Sequence, residues 1–180
     1  MRQNGNQLNK AIFFDRDGVV NKPLILNNKP FPPKSIEDLV VYDCLSAILK
    51  KLRENMYLTF IITNQPDVKR GTVIKKDVDK INEYLMQHYD FDDLFCCFHD
   101  DGDNCICRKP KPGAILFFAK KYNIDLKKSF MIGDRKKDVL AADNAGCRSI
   151  FIDMGYNEIK PNTQSFTATT LEDAINFILG

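Results

Sequence analysis

The stretch AIFFDRDGVVN, residues 11–21, carries four apolar residues straight into two aspartates one residue apart, followed by a glycine. The run AIFF (11–14) reads as a buried parallel strand, because a strand covered on both faces has no solvent side to alternate towards. Residues two apart on a strand point to the same face. Asp15 and Asp17 are therefore placed to converge on one spot at the end of that strand. A soluble turn has no need of two carboxylates there, so the spacing asks for a ligand.

The rest of the chain repeats the strand pattern. YLTFIIT (57–63), LFCCFH (94–99), SFMIGD (129–134) and RSIFID (148–153) read as four more strands. Between them lie helical periods. One runs through Leu45, Ile48, Leu49 and Leu52, with Asp43 placed to cap it, and one spans 73–89 with apolar residues at 74, 78, 81 and 85. Pro112 and Gly113 open a third, KKDVLAADNAG closes a fourth at Gly146, and LEDAINFIL (171–179) is the last. Residues 22–38, rich in Pro, Asn and Lys, read as loop. Strands alternating with helices predict an α/β fold: a Rossmann-like three-layer α/β/α sandwich with a mostly parallel sheet. In such a sheet the ligand site lies beyond the carboxyl ends of the strands. Asp15, Asp17, Thr63, Asn64 and Asp134 all fall there, and Lys109 follows one loop later.

Bulk properties bound the function. The 180 residues suit one domain, expected over 1–180 with 1–10 loose, and a net charge of +2 gives no push towards nucleic acid or a membrane surface. No apolar run nears the roughly 20 residues of a membrane span, and the polar N-terminus lacks the apolar middle of a secretion signal. A cytoplasmic monomer acting on a small molecule is the expectation. Six cysteines in such a chain are unlike a disulfide framework, and four of them fall between 96 and 107.

Three converging carboxylates repel one another unless a cation joins them. Asp15, Asp17 and Asp134 form a hard oxygen site suited to Mg²⁺, and with Lys109 and Thr63 they look built for a phosphate ester. Asp15 would be the nucleophile, forming an aspartyl phosphate. Asp17 would protonate the leaving oxygen and then deprotonate water. Thr63 and the backbone N–H of Asn64 would hold phosphoryl oxygens, with Lys109 balancing their charge.

A second cluster lies in CCFHDDGDNCIC. Cys97, His99, Cys105 and Cys107 offer four soft ligands within eleven residues, enough to close a tetrahedral structural zinc site over the loop 97–107. Cys96 is the rival ligand if the strand register differs. Cys44 and Cys147 read as core fillers.

With these residues in view, the chain resembles the haloacid dehalogenase superfamily of phosphatases over about residues 10–155. DRDGVVN looks like its first motif, TNQ the second, RKPKPG the third and GDRKKD the fourth, in that order. The resemblance implies Mg²⁺ held by the carboxylates of Asp15 and Asp134 and the backbone carbonyl of Asp17, with Asp138 at the edge. Only 47 residues separate Asp15 from Thr63 and 45 separate Thr63 from Lys109, which leaves no room for a large cap domain. The zinc loop running into RKPKPG is similar to that of the D-glycero-D-manno-heptose 1,7-bisphosphate 7-phosphatases and the histidinol-phosphate phosphatases. In the heptose group the residues matching Arg108 and Arg135 face substrate, work that suits a guanidinium fork. The expectation is thus removal of the 7-phosphate of the heptose bisphosphate in nucleotide-heptose synthesis for lipopolysaccharide or another surface glycan. Histidinol-phosphate or another small sugar-phosphate hydrolysis is the alternative. The non-enzyme alternative is a phospho-Asp receiver domain, which would lack an acid/base at Asp17 and lack the zinc loop. The chain has TNQPD where the commoner pattern is TNQSG, and Pro66 removes an N–H donor there. Gln65 and Lys69 are either substrate contacts or plain loop residues.

Overall fold

The computed structural model describes residues 8–26 and 29–180. Its elements in chain order are β1 (Lys10–Phe14), β2 (Leu24–Leu26), β3 (Lys29–Phe31), α1 (Leu45–Glu54), β4 (Tyr57–Asn64), α2 (Lys75–His88), β5 (Asp93–Cys97), α3 (Gly113–Lys121), β6 (Phe130–Gly133), α4 (Lys136–Ala145), β7 (Arg148–Ile152), β8 (Phe166–Ala168) and α5 (Leu171–Leu179). Six strands form one parallel sheet in the order β5-β4-β1-β6-β7-β8. No helix among the described residues is long and apolar enough to cross a membrane.

The central strand divides its side chains between two cores. Ile12 and Phe14 join the cluster containing Leu45, Leu49, Ile81 and Ile175, so α1, α2 and α5 cover that face. Ala11 and Phe13 join Phe60, Ile62, Phe118 and Ala142, so α3 and α4 cover the other. Phe13, Phe60 and Phe118 stack there, with Phe60 and Phe118 centroids 4.6 Å apart. An unbroken apolar run is what such a two-sided strand requires.

From β1 the chain builds outward to β4 and β5, then returns to lay β6 on the other side of β1. The order reverses between β1 and β6, and the crevice at such a reversal is where open α/β sheets bind ligands. Asp15 follows β1 and Asp134 follows β6, so both sit at that crevice.

Several local expectations change. Lys10 already belongs to β1 and Asn9 bridges to Ile124, so the loose segment does not extend to residue 10; residues 1–7 lie outside the described residues. Asp43 does not cap α1: the cap position is Cys44, without a side-chain bond. The strand expected at 94–99 is Asp93–Cys97, which frees Phe98 and His99 to turn into the loop. The segment 22–38 is not plain loop. Leu24–Leu26 pairs antiparallel with Lys29–Phe31, and a 3₁₀ turn follows at Ile36–Asp38. The three-residue β8 was not foreseen, being too short to show a period.

Candidate active site

Lys109 and Asp15 meet at the crevice floor. Lys109 Nζ lies 2.7 Å from Asp15 Oδ1, 2.7 Å from Asp138 Oδ1 and 2.8 Å from the Ile62 carbonyl. All three side chains are buried. Burial alone would lower the lysine's affinity for its proton, but the charges of Asp138 and Asp15 outweigh it and raise the ammonium's pKa. Burial likewise pushes Asp15 up, yet Lys109, Lys137 and the Arg16 N–H together hold its carboxyl below the usual range. Asp15 Oδ1 receives both Lys109 and the Arg16 N–H at 2.9 Å. Its Oδ2 carries no hydrogen bond from the described residues, and Asp15 lines the cavity.

Asp134 is the opposite case. Both of its carboxylate oxygens are buried without a hydrogen-bond partner. Burial, followed by the charges of Asp15 and Asp138, raises its pKa well above the ordinary carboxyl value. A buried carboxylate left orphaned costs free energy unless a cation completes it. Ligand oxygens of Asp15, Asp134 and Asp138 lie within 4.8 Å of one another, so this donor set fits a hard divalent ion such as Mg²⁺. The backbone is shaped to admit it. Gly18 has φ +100°, and a Cβ there would sit 2.1 Å from Asp134 Oδ2; a Cβ on Gly133 would sit 2.2 Å from the Cβ of Asp138.

The carboxylate of Asp17 is not part of that cluster. It accepts from Arg16 Nε at 3.1 Å and Nη2 at 3.0 Å, from Asn21 Nδ2 at 3.2 Å and from Gln65 Nε2 at 2.7 Å. A metal role for Asp17 therefore rests on its backbone carbonyl. Arg16 is fully buried and donates its Nη1 to Asn82 Oδ1 at 2.9 Å. Gln65 is buried and also donates to Thr63 Oγ1 at 2.8 Å, so it supports the site from inside instead of reaching into the cavity. Lys69 pairs with Asp103 at 3.2 Å and lies outside the cavity wall. Asn64 and Lys109 lock their loops together, Nδ2 donating to the Lys109 carbonyl at 3.0 Å and the Lys109 N–H to Oδ1 at 3.2 Å.

Above this floor opens a cavity of about 300 Å³. Asp15, Asp17, Thr63, Asn64, Arg108 and Arg135 line it, while Asp134 and Lys109 lie buried beneath. The β2–β3 pair supplies an apolar wall through Pro30 and Phe31. Arg70 and Lys137 also line it, and the sequence reading missed both. Lys137 sits inside the fourth motif; Arg70 had no signal beyond its place seven residues after Thr63. Arg16 was overlooked between two aspartates. Asn82 did leave a trace, as a polar residue among Val78, Ile81 and Leu85 on the buried face of α2.

The second cluster is assembled as expected. Cys107 Sγ lies 3.3 Å from Cys97 Sγ, 3.6 Å from Cys105 Sγ and 3.5 Å from His99 Nδ1; Cys97 lies 3.5 Å from that same nitrogen and 3.9 Å from Cys105. A tetrahedron with zinc–sulfur bonds of about 2.3 Å has edges of about 3.8 Å. The spacings match those edges and are far too long for disulfides, so the quartet fits zinc with no position left open. Cys96 is excluded as a ligand: it points away, towards Arg16 and Asn82, and burial pushes its thiol up to about 11. Cys107 leads directly to Arg108 and Lys109, so metal at this loop anchors the backbone that delivers both.

The HAD-hydrolase-like family model matches residues 106–174. A D-glycero-beta-D-manno-heptose-1,7-bisphosphate 7-phosphatase of Helicobacter pylori is 34% identical over 176 residues, covering 94% of this chain and 97% of its own. A D-glycero-alpha-D-manno-heptose-1,7-bisphosphate 7-phosphatase of Photorhabdus laumondii is 34% identical over 175 residues, covering 90% and 92%. Among solved structures, a D,D-heptose 1,7-bisphosphate phosphatase from B. bronchiseptica, complexed with magnesium and phosphate, matches with a TM-score of 0.78 at 27% identity over 94% of this chain and 98% of that one. With near-complete coverage at this identity, the chain belongs to the heptose 1,7-bisphosphate 7-phosphatase family of haloacid dehalogenase-like hydrolases.

Proposed function

We propose that this chain is a magnesium-dependent phosphatase that removes the 7-phosphate of D-glycero-D-manno-heptose 1,7-bisphosphate, serving nucleotide-heptose synthesis for a surface glycan. The observation that carries this is the asymmetry of Asp15, a residue of the cavity wall: Oδ1 is pinned by Lys109 and a backbone N–H, and Oδ2 accepts no hydrogen bond from the described residues. A carboxylate held by one oxygen with the other free is oriented to attack phosphorus. Thr63 and the Asn64 N–H would take phosphoryl oxygens, and Lys109 would offset their charge. Asp15 and Asp134, with the Asp17 carbonyl and Asp138 at the edge, would hold Mg²⁺, which when bound neutralises phosphate oxygens. Asp17 would protonate the leaving sugar oxygen, exchanging its present donors by a side-chain rotation, and then deprotonate the water that hydrolyses the aspartyl phosphate.

The cationic rim of Arg70, Arg108, Arg135 and Lys137 suits a substrate with a second phosphate better than the cationic histidinol phosphate. The curated relatives include enzymes for both anomers, so the test uses both. Phosphate release is to be measured from the two anomers and from histidinol phosphate, with ³¹P NMR locating the phosphate that remains. Release of the 7-phosphate, abolished in Asp15→Asn, is expected. Turnover by Asp15→Asn within about tenfold of wild type would remove Asp15 as nucleophile, and a preference for histidinol phosphate would remove the substrate. The protein is further proposed to work as a cytoplasmic monomer; sedimentation of the purified chain tests the oligomeric state.

A further inference from the structure

We propose that Glu158, in the loop between β7 and β8, is a positioning residue for substrate, acting through Arg135. Glu158 lies outside every motif and 23 residues from its partner. Its Oε2 accepts from Arg135 Nε at 2.7 Å, and its Oε1 accepts from Nη2. This side-on fork fixes the plane of the guanidinium, and the Tyr156 ring lies 6.0 Å from its carbon. The pairing leaves the Nη1 edge of Arg135 for a ligand. The loop is itself held back: Asp153 accepts from Lys160 at 2.5 Å and from the Gly155 N–H at 3.0 Å. Arg135 borders both the main cavity and the small cleft that contains Glu158, so it bridges the loop to the site.

A similar construction recurs at a second arginine of the cavity wall. Arg108 Nε is held by Asp101 at 2.7 Å, and its Nη1 is buried without a partner. In both arginines a carboxylate takes the Nε side; at Arg135, which lines the cavity, the Nη1 edge remains for an anion. Planar, pre-aligned donors lose less freedom when they bind phosphate than free side chains do. Glu158 thus orders Arg135 for a phosphate oxygen and makes the β7–β8 loop part of the recognition apparatus. The inference rests on the phosphatase reading only in that Arg135 is taken to face a phosphate ester.

The test is a double-mutant cycle of Glu158→Ala and Arg135→Ala, with Glu158→Gln alongside, on heptose 1,7-bisphosphate and on p-nitrophenyl phosphate. Glu158→Ala is expected to raise KM about fivefold, the scale of one solvent-accessible ion pair, with kcat and the melting temperature unchanged. Glu158→Gln keeps one acceptor for Nε and should recover part of the loss. In the Arg135→Ala background, Glu158→Ala should add nothing. An unchanged KM, or an equal increase without Arg135, overturns the proposal. A fall in KM would overturn it too, since Glu158 would then compete with phosphate. Coupling on either substrate supports it. Coupling on p-nitrophenyl phosphate without heptose turnover would sink the substrate reading and leave the role of Glu158 standing; no coupling on either substrate ends it.

Discussion

Replacing Gly18 by alanine tests the geometry of the acidic cluster more sharply than removing a carboxylate. The substitution leaves every ionisable group in place and adds one methyl. That methyl would sit 2.1 Å from Asp134 Oδ2 and 2.5 Å from its Cγ. Non-bonded carbon and oxygen do not approach closer than about 3 Å, so Asp134 or the loop must give way by about 1 Å. Asp134 has little room to do so, because its oxygens are buried and Asp15 and Asp138 flank it. The φ of +100° at Gly18 adds a backbone cost of about 1–3 kcal/mol for any other residue. Urea denaturation should therefore show a loss of about 1–3 kcal/mol. A displacement of about 1 Å at a reacting centre can cost on the order of 10²-fold in rate. The magnesium titration of activity should shift to higher concentration, because Asp134 no longer presents its carboxylate in register with Asp15. A Gly18→Ala protein with wild-type stability and wild-type magnesium half-saturation would refute the argument, since the Asp134 carboxylate would then not be placed by this contact.

Asp17→Asn should slow hydrolysis of a sugar phosphate by about 10²–10⁴-fold while affecting loss of the activated leaving group p-nitrophenol less. Rapid quench should then show a burst near one equivalent of p-nitrophenol, and normal sugar-phosphate turnover would leave Asp17 as a magnesium-site residue alone. Elemental analysis should find about one zinc per chain, resistant to mild EDTA that strips magnesium reversibly; folded, active protein free of zinc would contradict the four-ligand assignment. Cys147 is a pH probe. Burial is the main cause pushing its thiol up to about 12, so the native state keeps the proton that the unfolded chain releases near its ordinary value of 9.0. Its stabilising share is complete below that value and is lost as pH rises towards 12. Stability measured from pH 8 to 11 should fall less steeply in Cys147→Ala, and an identical slope would show that the thiol does not titrate there.

What was readable along the chain was what neighbouring residues settle between themselves. AIFF needs only its own hydrophobicity to be a two-sided strand, and Asp15 and Asp17 follow it by spacing. Cys97, His99, Cys105 and Cys107 find one another within a single loop, because zinc geometry is satisfied over eleven residues. The α/β alternation and the order of the motifs likewise follow from local period and punctuation. The acidic cluster was legible as a list of acids: residue spacing alone put the Asp17 carboxylate in it, and only the family resemblance gave Asp17 its backbone carbonyl and set Asp138 at the edge. Asp138 enters beside Lys109 in place of the Asp17 carboxylate because β6 and α4 bring it there, and Arg16 together with Gln65 claims Asp17. The Lys109–Asp138 and Gln65–Asp17 pairings cross 29 and 48 residues and exist only once β4, β1 and β6 lie side by side. The β2–β3 pair was hidden because strands of only three residues, set in a segment rich in Pro and Asn, carry no period, and its Phe31 wall has meaning only next to the cavity. Glu158 is the extreme case: an exposed acid in an irregular loop, ordinary by every local criterion until the β7–β8 connection sets it against Arg135. Local chemistry writes strands, turns and short-range ligand sets into the chain, whereas an ion pair between distant loops depends on strand order, which composition and periodicity do not encode.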